Sequence, residues 1–387
     1  MNLLLTGATG LLGGELLVNL AARPAIKRIH VLVRPRQAET AIARLRHVFA
    51  VHGDPFDPNK VVAVEGDLLD AELPKRLSAD AALIDVDVVL HAAANTSFLR
   101  INDALVEATN VGALERLVRW ARGLPRLQTF AYVGTAMICG TAARPGPIGE
   151  DESPDPTVRH LVRYTESKLR AELMLQRELP ADRLLVMRPS IIMGDSRPVV
   201  PRSPVVLWAM AAMNQLRLLA AAPDAALDII SVDYAAEAIG ALLLARRDHR
   251  TYHISTGTDA ATSPRLLAET LAHHFPELPP FCFVRGALLP ALRRWLTSDP
   301  PPDDSELAAH APYLAYWQAR FRDPRRALAV FAALQPYLKF MALGHVFDNA
   351  RLRATTGLRA PDPAHVYIAS SIHHLAAIDI VGGARDP

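Results

Sequence analysis

Three glycines spaced three apart, Gly7, Gly10 and Gly13, stand in Thr6-Gly7-Ala8-Thr9-Gly10-Leu11-Leu12-Gly13, directly after the apolar run Asn2 to Leu5 and ahead of a helix-patterned segment, Gly13 to Ala22. At a strand-to-helix junction glycines let the backbone turn tightly and approach a pyrophosphate, which the free N–H groups and positive dipole end of the helix then bind. Thr6, Gly7, Thr9, Gly10, Leu11, Leu12 and Gly13 are therefore the expected cradle of a dinucleotide. Alone, such a pattern is equally compatible with an ordinary turn. The remainder of the chain decides between the two.

Short runs rich in Val, Leu and Ile recur at Arg28 to Val33, Val61 to Glu65, Val86 to His91, Thr129 to Val133, Arg183 to Met187 and Thr251 to Ser255. Helix-patterned segments lie between them, among them Ala38 to Ala50, Asn110 to Arg122 and Glu166 to Glu178. Continuous apolar strands alternating with helices predict the α/β class, a doubly wound parallel sheet of Rossmann type, over residues 1–270. Two proline-bearing stretches, Ala142 to Pro156 and Ser196 to Pro223, break the alternation after strand ends where such sheets hold ligands, which puts substrate-binding segments near 137–160 and 195–225. In the second, Val205, Val206, Leu207, Trp208, Met210, Met213, Leu216 and Leu218 fit a pocket wall or a helix packed on the core. Residues 271–387 read as a smaller, mostly helical C-terminal substrate region, with a Pro- and Asp-rich break at Ser298 to Asp304 and aromatic residues at Tyr313, Tyr316, Trp317 and Phe321.

Composition narrows the class. Half of the 387 residues are apolar, enough for one large domain and an appendage, and a net charge of +2 gives no broad surface for nucleic acid. Cys139 and Cys282 form no metal or redox spacing, the pairs His273-His274 and His373-His374 point to different faces of a helix, and H-E-x-x-H and Gly-x-Ser-x-Gly are absent, so neither a metal site nor a serine hydrolase is expected. A first strand beginning at residue 2 leaves no room for a signal peptide, and the apolar stretch Val205 to Met213 stops short of a membrane-spanning length. A cytoplasmic protein without a transmembrane segment is the expectation; oligomeric state is left open.

The chemistry-bearing feature is Tyr164-Thr165-Glu166-Ser167-Lys168. Positions i and i+4 share a helix face, and a cation beside a phenol favours its ionisation and fits it for proton transfer near neutral pH. The chain has eight tyrosines and only five lysines. Chance would give this spacing about 0.1 times, which disfavours a mere surface pair. Upstream, Thr129 to Val133 delivers Thr135 to the carboxyl edge of the sheet, where a hydroxyl can polarise a carbonyl, although a threonine there is equally a turn residue.

Taken together these residues resemble the extended short-chain dehydrogenase/reductases. The resemblance runs through the glycine loop, Gly66-Asp67-Leu68, His91-Ala92-Ala93-Ala94, Asn110-Val111, Thr135, Tyr164, Lys168 and Arg188-Pro189-Ser190. It implies Thr135, Tyr164 and Lys168 as the catalytic set, Tyr164 as proton donor, Tyr164 and Lys168 also at the cofactor with Lys168 on the nicotinamide ribose, and Asp67 at the adenine. Leu68, Ala92, Ala93, Ala94, Pro189 and Ser190 are implied around the cofactor, with Asn110 as the supporting asparagine. At the end of the second strand, where NAD binders usually carry an acid, the chain has Arg34-Pro35-Arg36. Guanidinium groups suit a 2′-phosphate, so Arg34, assisted by Arg44, points to NADPH unless these are merely surface arginines.

A finer resemblance is to fatty acyl-CoA reductases and thioester reductase domains, carried by Val31-Leu32-Val33-Arg34, His91 to Phe98, Asp228 to Tyr234, Thr251 to Gly257 and Phe347 to Arg351. It implies hydride transfer from NADPH to an acyl thioester, held on CoA or an acyl carrier protein, giving an aldehyde and then an alcohol if a second hydride follows. A ketone/alcohol dehydrogenase or epimerase acting on a sugar nucleotide or hydroxysteroid keeps nearly the same residues and stays open.

Overall fold

The computed structural model describes residues 1–36, 39–142, 146–151, 153–197, 204–296 and 305–384, side chains at 204–206 and 305–306 excepted. The expected break at Ser298 to Asp304, residue 38 and the side chains of Val205 and Val206 lie outside the described residues. The apolar runs pair into one sheet of seven parallel strands: β1 (Asn2–Thr6), β2 (Arg28–Val33), β3 (Val61–Glu65), β4 (Val88–His91), β5 (Thr129–Val133), β6 (Leu184–Pro189) and β7 (Thr251–Ile254), in the order β7-β6-β5-β4-β1-β2-β3. Leu3, Leu4 and Leu5 of the central β1 have no exposed surface, as a strand covered on both faces requires.

One face is covered by α1 (Leu11–Ala21), α2 (Ala41–His52) and a later helix, Val232–Leu244; the other by α3 (Leu114–Ala121) and α4 (Arg163–Glu178). Local chemistry sets the ends of α2: Thr40 Oγ1 accepts the Ala43 amide at 3.2 Å, and Gly53 closes the helix at φ +76°. The segment expected to open a helix at Asn110 instead passes through one π-helical turn, Ala108–Ala113, before α3 begins. α4 starts at Arg163, so Tyr164 stands in its first turn.

A second core lies beyond the sheet. It joins α5 (Pro204–Leu216), α6 (Pro264–His274), α7 (Ala311–Phe321) and α8 (Pro324–Met341) through buried Trp208, Met210, Leu271, Trp317, Phe331 and Leu334. Trp317 has no exposed surface and donates from Nε1 to the Leu216 carbonyl at 2.8 Å, with its ring edge-on to Phe331. No helix among the described residues is long and apolar enough to cross a membrane.

Candidate active site

β2 and β3 leave β1 on one side of the sheet while β4 to β7 lie on the other, so a crevice opens between the carboxyl ends of β1 and β4. The glycine loop lines it. A β-carbon on Gly7, which sits at φ +84°, would lie 2.6 Å from the Ala93 nitrogen, and one on Gly13 would lie 1.9 Å from the Gly7 carbonyl oxygen. Both positions exclude a side chain. Gly10 is the N-cap of α1 and no side chain caps the helix, leaving bare backbone at the positive end of the dipole, a fit to a pyrophosphate. Thr6 Oγ1 accepts the Ala93 amide at 3.3 Å and shares a 2.9 Å hydrogen bond with His91 Nδ1, which holds β1 to the half-buried Ala92-Ala93-Ala94 turn.

The two arginines expected at a 2′-phosphate divide. Arg44 is 9% exposed and braces the crevice, donating from Nη1 to the Arg34 carbonyl at 2.6 Å and from Nη2 to Thr9 Oγ1 at 3.1 Å. Arg34 is exposed at the end of β2, free to meet a ligand with its whole fork. After β3, on the same side of the crevice, Asp67 turns its carboxylate to the Leu69 amide at 2.9 Å, and the Leu68 carbonyl accepts from Arg116 at 3.0 Å.

Two of the expected catalytic groups, Thr135 and Lys168, stand at the edge of β5. Thr135 is buried, its hydroxyl accepting the Met137 amide at 3.3 Å and donating to the Pro189 carbonyl at 3.4 Å. Lys168 Nζ donates to the Val133 carbonyl at 2.8 Å, two residues before Thr135. Tyr164 lies one turn earlier on α4 and is half-buried. Burial pushes its phenol up to about 12 and draws the Lys168 ammonium down to about 7. Burial, and not the expected lowering by a neighbouring cation, sets the phenol, which holds its proton at neutral pH and suits a donor to an oxyanion. His91, drawn down to about 3 by burial and then by Lys168, is neutral there.

Two buried contacts fix α4. Asn110 Nδ2 donates to the Asn95 carbonyl and to Ser167 Oγ, both at 2.9 Å, while its Oδ1 accepts the Asn95 amide at 2.8 Å. Asn110 therefore joins the loop after β4 to the residue preceding Lys168. One turn beyond Lys168, Glu172 is locked by the Arg188 guanidinium of β6 in a fully buried pair. Pro189 ends β6, and the Ser190 amide donates to the Ile254 carbonyl at 2.9 Å.

The apolar run of α5 faces the second core. Trp208 is 2% exposed and its Nε1 donates to the Ile380 carbonyl at 2.9 Å. The aromatic side chain that meets Tyr164 is Phe98: its ring lies 6.2 Å from that of Tyr164, 5.1 Å from Tyr337 and 5.3 Å from Phe340, the last two on α8, and Tyr337 in turn lies 6.2 Å from Trp208. Sequence reasoning did not single these out. Phe98 was visible only inside a motif string, and Tyr337 and Phe340 follow the spacing of any core-facing helix. A cavity of about 320 Å³ among Pro147, Thr258, Asp259, Asn349 and Arg353 is lined by none of the catalytic groups.

Comparison with known proteins bears on the family and the fold. The model of the male sterility protein family matches residues 5–239. Over 271 residues the chain is 27% identical to fatty acyl-CoA reductase 1 of Gallus gallus, covering 60% of this chain and 52% of that protein. It is 34% identical over 197 residues to the hybrid PKS-NRPS synthetase mpsA of Macrophomina phaseolina, covering 49% of this chain and 4% of that protein. The chain thus spans about half the length of the curated reductases it matches. Its fold is that of the terminal R domain from the myxalamid PKS-NRPS biosynthetic pathway, with a TM-score of 0.69, 22% identity, and coverage of 97% of this chain and 90% of that one.

Proposed function

The chain belongs to the male sterility protein family and is an oxidoreductase of the extended short-chain dehydrogenase/reductase type; from that premise we propose that it reduces an acyl thioester, carried on CoA or on a carrier protein, to an aldehyde with NADPH. The observation that supports the reading is the ring of Phe98, packed on Tyr337 and Phe340 and lying 6.2 Å from the ring of Tyr164, the residue one turn before Lys168. Such a wall suits an acyl chain better than the second diphosphate of a sugar nucleotide.

The glycine cradle of α1 and the exposed Arg34 would hold the diphosphate and the 2′-phosphate, and the bound nicotinamide supplies the hydride. Thr135 and Tyr164 would hydrogen-bond the thioester oxygen and stabilise its developing charge, with Lys168 favouring that charge from beneath. Tyr164 gives its proton to the oxyanion, producing a hemithioacetal, which collapses to aldehyde and free thiol. A second round on the aldehyde would yield the alcohol. The helical region from 271, with α5, would enclose the acyl chain, its inner surface being the Phe98, Tyr337 and Phe340 rings rather than Trp208.

The test is oxidation of NADPH by the purified protein with a series of acyl-CoAs and one carrier-bound acyl group, with products identified by chromatography. Thioester-dependent oxidation giving aldehyde or alcohol supports the proposal, and the better donor identifies the carrier. Turnover of ketones or secondary alcohols with none of any thioester overturns it.

A further inference from the structure

Lys168 is the one member of the catalytic set whose charge has no evident support. It is 3% exposed, and burial works against its ammonium form. The groups that face it from each packed element offer little compensation. β4 supplies His91, which is neutral; α4 supplies Tyr164, also neutral, and Glu172, whose carboxylate is taken up by Arg188 of β6. Among the described residues no carboxylate pairs with Lys168; its hydrogen bond runs to the Val133 carbonyl.

The remaining neighbour is an aromatic face. Alternation along β5 turns Phe130 and Tyr132 toward α4, and Lys168 Nζ lies 4.8 Å from the centroid of the Tyr132 ring. His91, the register partner of Tyr132 on β4, stacks beside it at 6.2 Å with the ring planes 11° apart, fixing its tilt. The Tyr132 hydroxyl has no hydrogen-bond partner among the described residues. What Tyr132 contributes at this position is therefore its ring. An ammonium over an aromatic face is attracted by the negative face of the quadrupole, most strongly where water is excluded.

We infer that Tyr132 is a positioning residue for the reaction: its ring face keeps the buried Lys168 charged and aimed along the edge of β5, and so sets how far toward alkaline pH the catalytic set works. The inference concerns the state of Lys168 in the protein by itself and holds whether the substrate is a thioester or a ketone.

Having only five lysines makes the state of Lys168 directly measurable. In cofactor-free protein labelled with ¹³C at lysine Cε, the Lys168 signal is identified by its loss in Lys168→Arg and titrated by NMR. Tyr132→Phe keeps the ring and should leave the midpoint unchanged, whereas Tyr132→Leu should lower it by about one pH unit. Fluorinated phenylalanines at position 132 keep the shape while draining the ring face, so the midpoint should fall stepwise with each fluorine; this series carries the test should the leucine variant fold poorly. An unchanged midpoint across the fluorinated series, or an equal fall in Tyr132→Phe, overturns the inference. Once a turnover assay exists, the alkaline limb of kcat/KM should move down with the same variants. Inactivity of the wild type toward thioesters would count against the proposed reaction and leave the Lys168 titration untouched.

Discussion

The two sides of the catalytic cleft are held in different ways. On the sheet side, the candidate polar groups are anchored by main chain: Lys168 on the Val133 carbonyl, Thr135 between the Met137 amide and the Pro189 carbonyl, and Asn110 on both backbone groups of Asn95. The facing side, Phe98 with Tyr337 and Phe340 of α8, meets Tyr164 through the ring of Phe98, although the loop that carries Phe98 is itself tied to Asn110 through Asn95. Hydrogen bonds to buried main chain admit one geometry, and a misplaced group leaves a donor or acceptor unsatisfied. Ring contacts tolerate changes of size at modest cost. The sheet side is thus suited to fixing a reaction and the facing side to choosing among substrates.

Substitutions that spare the fold can break this division. The largest expected effect is from Tyr164→Phe, which removes the proton donor and should lower kcat by about 10²–10⁴-fold. Cofactor affinity, read by NADPH fluorescence, should stay unchanged. Next, Arg34→Ala should reduce the preference for NADPH over NADH by roughly 10–100-fold, as the loss of charge-assisted bonds to one phosphate implies. Because Arg44 already spends donors on Thr9 and the Arg34 carbonyl, Arg44→Ala should instead weaken both cofactors together. Competition titrations with the two nucleotides distinguish these outcomes.

On the facing side, Phe98→Ala should redistribute kcat/KM among acyl chain lengths by a few-fold, about 1 kcal/mol per buried methylene gained or lost. An equal drop for all chain lengths would place Phe98 with the fixed side and break the comparison. A last effect, read as stability against pH, is expected from His91→Gln. The folded-state pKa of His91, about 3, lies below its unfolded value, so the unfolded chain takes up the proton first. Stability is then complete above about pH 6.5 and is lost as pH falls toward 3, by up to about 1.4 kcal/mol per pH unit from this one group. Urea unfolding from pH 7 to 4 should show a shallower decline in the variant, with the buried carboxylates Asp228 and Glu150 common to both proteins.

Much of the sheet side was legible because its signals are local. The glycine spacing, the strand runs and the Tyr164 to Lys168 interval depend only on backbone geometry and helical period. The strand pattern placed β2, β3 and β5 to the residue, and α4 began three residues before the expected Glu166. Less legible was what each polar group would bind. Arg34 and Arg44 were read together as phosphate ligands, and nothing in their spacing indicated that Arg44 also donates to Thr9, which only the folded crevice brings within reach. Likewise, the apolar run of α5 fitted either a pocket or a core, and Trp208 settled in the core because the C-terminal segment at Ile380 closes over it.

By itself, then, the sequence determined the alternation of elements, the bare-backbone cradle and the presence of a phenol and an ammonium on one helix face, since each follows from the periodicity or steric needs of a short stretch of chain. Only the tertiary structure decided which aromatic ring meets Tyr164, which arginine stays exposed, and that Lys168 rests over the ring of Tyr132. Those outcomes depend on contacts between residues tens to hundreds of positions apart, and a side chain's period along its own helix or strand names the face it occupies without naming what that face will meet.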